Sequence, residues 1–186
     1  MKSIKIGVVT SRFNEEVTSK LEQGALEFLE GCGDDLEVYA VRVPGAIEIP
    51  LSCQTLLERG CDGVVALGAV IRGETTHYEF VSNSVERGLT ELMLRYQRPI
   101  GCGVLTTENE NQAWARTGGK HGHKGREAAQ VTLEMIRLLR DLNTHSFQGA
   151  FVEAVDSKDY LSRRSQTRIS GKAKAKPKLK TKQKSN

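Results

Sequence analysis

The stretch 63-GVVALGAVIRGETTHYEFVSNS-84 starts as a near-continuous apolar run from Gly63 to Ile71. It exits through Arg72-Gly73, then shows two threonines and His77 before a helical pattern begins. A short apolar run rich in β-branched residues, with no polar alternation, reads as a strand buried on both faces. Residues 76–96 then read as a helix. Working outward, the same unit repeats. IKIGVVT (4–10) is a buried strand, and Val17, Leu21, Ala25, Phe28 and Leu29 mark an amphipathic helix over 15–30, stopped by Gly31 and Gly33. LEVYAVRV (36–43) is a strand closed by Pro44-Gly45, and Ile47 to Arg59 a helix ending at Gly60. IGCGVLT (100–106) is a fourth strand, with helical stretches following at about 108–117 and 124–142. Strands alternating with helices predict a four-stranded parallel sheet covered by helices on both faces.

Ligands of such sheets bind beyond the carboxyl ends of the strands. Four segments share that rim: Ser11-Arg12-Phe13-Asn14, Pro44 to Glu48, Arg72 to His77, and Thr106 to Asn109. The Gly73-Glu74-Thr75-Thr76-His77 turn has two readings. Thr75 or Thr76 caps the helix, or the unpaired first-turn amides hold an anion, with Gly73 allowing close approach and His77 suited to proton transfer near neutrality. Glu74 opposes an anion unless its carboxylate points away. Glu48 is a helix-dipole carboxylate or part of a slot, opened by Ala46, for a polar heterocycle. Phe13 stacks on that ring or is a core phenylalanine under a loop. The segment 114-WARTGGKHGHKGRE-127 gathers Arg116, Lys120, His121, His123, Lys124 and Arg126 around four glycines. It suits a phosphate or other anion, a metal at His121 and His123 that lacks a nearby third ligand, or solvent alone. No GxxxxGK[ST] loop occurs.

The length of 186 residues allows one domain with a sizeable core. No stretch approaches the ~20 apolar residues of a membrane span. MKSIKIGVVT reads as a first strand rather than a signal segment, so a cytosolic location is expected. Cys32, Cys53, Cys61 and Cys102 form no CxxC pair and read as free thiols, with Cys53 and Cys102 as small buried hydrophobes. Charge divides the chain. Residues 1–156 carry 16 Lys and Arg against 22 Asp and Glu, and residues 157–186 carry 11 against 1, so a net −6 sits beside +10. The first part reads as the folded domain. The second reads as a basic, disordered tail, either solvated or bound to nucleic acid or another polyanion. Residues 143–156, including FVEAV, read as a short added strand or the start of the tail.

Five motifs in order, SRFN (11–14), VPGAIEIP (43–50), ALGAVIRGETTHYEFV (66–81), GVLTTEN (103–109) and ARTGGKHGHKG (115–125), give a resemblance. From about Ile4 to Leu142 the chain resembles the 6,7-dimethyl-8-ribityllumazine synthase family of riboflavin biosynthesis. The resemblance implies a flavodoxin-like three-layer αβα sandwich and a condensation without cofactor or metal. In it, 5-amino-6-(D-ribitylamino)uracil and (3S)-3,4-dihydroxy-2-butanone 4-phosphate join, with loss of phosphate and water. It implies that Phe13 stacks on the pyrimidine and that Ala46, Ile47, Glu48, Ala69, Val70 and Ile71 line the ribitylaminouracil pocket. Gly73, Glu74 and Thr75 would offer main-chain amides to the phosphate, and His77 would shuttle protons. Arg116 would clamp the phosphate, with Lys124 and Glu127 nearby. Cys102 stands where some members carry a phenylalanine that closes over the heterocycle. The resemblance also implies a homopentamer whose neighbouring subunit supplies the Arg116 region. A further icosahedral shell and riboflavin synthase are the other expected partners.

Overall fold

The computed structural model describes residues 3–33 and 35–144. The expectations for FVEAV and for the tail beyond residue 157 lie outside them. The four expected strands form one parallel sheet: β1 (Ile4–Ser11), β2 (Leu36–Val43), β3 (Gly63–Ile71) and β4 (Ile100–Thr107), in the order β2-β1-β3-β4. Helices α1 (Glu15–Glu30), α2 (Ile49–Glu58), α3 (His77–Tyr96), α4 (Glu110–Trp114) and α5 (Lys124–Thr144) connect and follow them, with a 3-10 turn at Ala46–Glu48 before α2. Asn143 and Thr144 therefore finish α5.

The period of two along the strands sorts the core into two layers. Ile4, Ile6 and Val8 of β1, with Val65, Leu67 and Ala69 of β3, face Val17, Leu21, Ala25 and Leu29 of α1 and Ala129, Leu133 and Ile136 of α5. Val9, Val64, Ala66 and Val70 point the other way, onto Ile49, Cys53 and Leu57 of α2 and Val81, Val85 and Leu89 of α3. The chain moves from β1 one way to β2 and then back across to β3 and β4. Right-handed crossovers therefore put α1 on one face and α2 and α3 on the other. The result is a flavodoxin-like three-layer α/β sandwich, and its strand order reverses between β1 and β3. At such a reversal the two connections leave on opposite faces and open a crevice at the strand ends.

Three local expectations change. The strand pattern predicted burial on both faces throughout, yet β2 is exposed along most of its length, with Val38, Tyr39 and Val41 in solvent. The helices cover the two inner strands and most of β4, and leave β2 and the Cys102 and Thr106 positions of β4 open. For the same reason Cys102, on β4, is exposed, while Cys53 on α2 is fully buried. The expected helix over 108–117 is confined to α4. Asn109 caps it by accepting from the Gln112 N–H at 3.0 Å. Beyond it, residues 117–123 form an antiparallel hairpin of β5 (Thr117–Gly119) and β6 (Gly122–His123). Gly118 and Gly122 take φ of 111° and 76°, which side-chain-bearing residues rarely adopt.

Candidate active site

Backbone hydrogen bonds draw the rim segments together in pairs. The Arg12 N–H donates to Val43 O at 2.8 Å and the Phe13 N–H to Pro44 O at 3.2 Å, so the first segment lies along the second. Asn14 has a left-handed backbone, φ 58°, a conformation asparagine tolerates. Its side-chain amide donates to Ala69 O at 2.9 Å, tying the start of α1 to the end of β3. Phe13 is left projecting at the crevice mouth, 69% exposed. An aromatic ring held there by its neighbours' backbone bonds, outside the core, can accept a planar ligand.

Ala46, Ile47 and Glu48 follow in the second segment, as the 3-10 turn after β2. Ala46 is buried, whereas Ile47 and Glu48 are exposed. The Glu48 carboxylate accepts from the Gly45 N–H at 2.9 Å, closing the turn on itself. Ala69 and Val70 put their side chains into the two cores, and only Ile71 is half-buried. What these three offer a ligand at the strand end is mainly backbone.

The turn after β3 is exposed from Arg72 through His77. Thr76 occupies the N-cap position of α3 without a side-chain cap bond; the Thr75 hydroxyl instead accepts from the His77 N–H at 3.4 Å. Arg72 is pulled sideways. Its guanidinium bridges Glu79 and Glu108, at 2.6 Å from the latter, and lies 4.1 Å over the Tyr78 ring. The hydrogen bond from Arg72 holds the Glu79 carboxyl below its ordinary range. That network, with the Arg72 N–H bonded to Thr107 O at 2.9 Å, fastens the third segment to the fourth. The imidazole of His77 makes no hydrogen bond among the described residues, and its ring neighbour is Phe80. Sequence reasoning named His77 and overlooked Phe80, although their spacing of three on one helix was visible.

The basic cluster lies beyond the end of β4, between α4 and the start of α5. The Arg116 guanidinium donates to Gln112 O at 2.8 Å, and the Lys124 N–H donates to Arg116 O, also at 2.8 Å. Lys124 pairs with Glu127. His121 is exposed, while the His123 ring packs on Gly24 of α1, where a Cβ would come within 2.1 Å of it. No His, Cys, Asp and Glu grouping able to hold a metal occurs among the described residues. Nor does any helix there have the length and apolarity to cross a membrane.

The predicted residues thus fall into three places. Phe13, residues 46–48, residues 69–71 and residues 73–77 surround the crevice at β1 and β3. Arg116, Lys124 and Glu127 sit around the hairpin. Cys102 lies on the edge strand, opposite Ala66, in a shallow groove with Ser82, Val85, Glu86 and Val104. It is two strands from β1 and about 16 Å below the strand end at the usual rise per residue. One subunit does not bring Cys102 to the crevice.

A profile of the family described as 6,7-dimethyl-8-ribityllumazine synthase matches residues 3–140. Among similar proteins is a 6,7-dimethyl-8-ribityllumazine synthase of Bdellovibrio bacteriovorus, 65% identical over 142 residues, covering 76% of this chain and 79% of the relative. A protein of the same name from Desulfovibrio desulfuricans is 47% identical over 143 residues, covering 76% of this chain and 92% of the relative. One from Thermus thermophilus is 46% identical over 144 residues, with the same coverage of 76% and 92%. The match spans the sheet, both helical layers and every rim segment, so the chain belongs to the 6,7-dimethyl-8-ribityllumazine synthase family.

Proposed function

We propose that this chain condenses 5-amino-6-(D-ribitylamino)uracil with (3S)-3,4-dihydroxy-2-butanone 4-phosphate to give 6,7-dimethyl-8-ribityllumazine, phosphate and water. The observation that carries the reading is an exposed Phe13 at the reversal of strand order, with His77 opening the helix that leaves β3. The 5-amino nitrogen adds to the ketone carbon, and water leaves to form a Schiff base. A proton is lost from carbon 3 as phosphate departs from carbon 4 with the C–O electron pair. The resulting enol becomes a ketone, which the ribitylamino nitrogen attacks, and a second water leaves as the ring closes. Each step moves a proton, and His77 takes and returns it. Phe13 holds the uracil by stacking, residues 46–48 and 69–71 line its pocket, and the 73–75 turn offers amides to the phosphate. Arg116, assisted by Lys124, stabilises the charge that develops on the leaving phosphate.

The site is completed between neighbouring subunits of a homopentamer, each lending its Arg116 and Cys102 region to the next. The place of Cys102, on the edge strand five residues short of the strand end, supports this. So do the exposed Leu51 and Leu94. Assembly of pentamers into a shell, contact with riboflavin synthase, and work in the cytoplasm belong to the same reading. The domain to about residue 156 carries the chemistry. The basic segment 157–186, net +10, suits a polyanion such as nucleic acid.

The test mixes full-length protein with both substrates and follows lumazine fluorescence against the spontaneous reaction. Wild type is expected to exceed the spontaneous rate, and His77→Ala to lose most of that acceleration. A wild-type rate equal to the spontaneous one overturns the assignment.

A further inference from the structure

A proton carrier must hold its ring in one orientation, and histidines that do this work are usually fixed by an acceptor at the second ring nitrogen. His77 has no such acceptor among the described residues. Glu79, the carboxylate two residues along the helix, is engaged by Arg72. The aromatic neighbour of the imidazole is Phe80, three residues along α3, with ring centroids 6.2 Å apart and planes inclined by only 21°. Phe80 is itself 65% exposed. It contributes little to the core of its own subunit, so core packing does not explain why a large ring stands there. Offset stacking at this separation is a favourable arrangement for two rings.

We infer that Phe80 is a positioning residue for His77, fixing the plane of the imidazole by ring stacking where a hydrogen bond would ordinarily do so. The inference rests on the proton-carrier role proposed for His77. Phe80 touches neither substrate in this account and acts only through its neighbour. Removing the ring while keeping an apolar side chain of similar bulk lets the imidazole rotate. Turnover then falls and substrate binding does not.

The experiment measures kcat and KM for both substrates in wild type, Phe80→Leu, Phe80→Tyr, His77→Ala and the double variant His77→Ala/Phe80→Leu, with the assembled mass of each read by light scattering. Phe80→Leu is expected to lower kcat about 3- to 10-fold with both KM values unchanged, and Phe80→Tyr to restore it. In the His77→Ala background Phe80→Leu should have no further effect, because the two act as one unit. Wild-type kcat in Phe80→Leu alongside a loss in His77→Ala overturns the inference and leaves the function standing. A rise in KM, or a lowered kcat that persists without His77 or accompanies a changed mass, also overturns it and makes Phe80 a binding or assembly residue. An unaffected His77→Ala removes the proton-carrier role and the inference with it.

Discussion

At the scale of single residues, chemistry follows from what each side chain is left free to do. Arg72 and Arg116 both lie near the strand ends, yet their situations differ. Arg72 is spent on Glu79, Glu108 and Tyr78, whereas the Arg116 guanidinium, among the described residues, bonds only Gln112 O and keeps donors for a ligand. The cysteines divide in the same way. Burial pushes the Cys53 thiol far up, and burial also raises Cys32 and Cys61. Cys102 is exposed on the edge strand. Thiolate is the reactive form, so a thiol reagent at neutral pH should modify Cys102 first and leave Cys53 unmodified until unfolding. Bound lumazine should slow the Cys102 reaction where a neighbour's pocket covers it. Peptide mass spectrometry after timed alkylation reads both outcomes, and labelling of Cys53 ahead of Cys102 would contradict the burial described. His77 and Phe13 were legible as single residues because their motifs name them. The spacing of Phe80 from His77 was visible too, but only the structure shows the two rings side by side.

At the scale of elements, the contact between α1 and α5 carries the basic cluster into position. These helices approach so closely that a Cβ on Gly125 would lie 2.0 Å from Leu21 O. A backbone oxygen cannot rotate aside as a side chain can, so the helices must separate. Gly125→Ala should therefore destabilise the fold by about 1–3 kcal/mol, measured by denaturant unfolding. Because Lys124 and the hairpin move with α5, the same variant should weaken binding of the phosphate substrate more than that of the uracil. Full stability in Gly125→Ala would refute the close approach. The hairpin itself was hidden in the sequence. Two glycines in GGKHGHKG take positive φ and the His123 ring packs on Gly24, a partner nearly a hundred positions away. Only local periodicity was available there, and it pointed to a longer helix over 108–117.

For the whole molecule, the question is whether one chain makes a site. His77 belongs to the crevice and Arg116 to the hairpin. In a shared site a subunit lacking either still offers the other to a neighbour. His77→Ala and Arg116→Ala proteins, each low in activity, should recover part of the wild-type rate when unfolded together and reassembled as mixed oligomers. With random mixing in a ring, about a quarter of interfaces hold both wild-type residues, so roughly a quarter of the activity should return. No recovery beyond the average of the two variants, in oligomers of wild-type mass, would mean that each site is built from one chain.

What the sequence determined by itself were the properties that repeat locally. Continuous apolar strands alternating with amphipathic helices required a parallel sheet with two helical layers, because unpaired backbone and apolar faces must both be covered. The rim followed from that sheet, and five motifs in order named the family and the residues on the rim. Strand order and cover were decided only by tertiary structure. β1 and β3 are sealed between helices, while similar apolar residues on β2 lie exposed and Cys102 on β4 lines an open groove. Period is a property of neighbours along the chain, whereas burial depends on which helix lies over a strand. That is set by crossovers joining residues far apart in sequence.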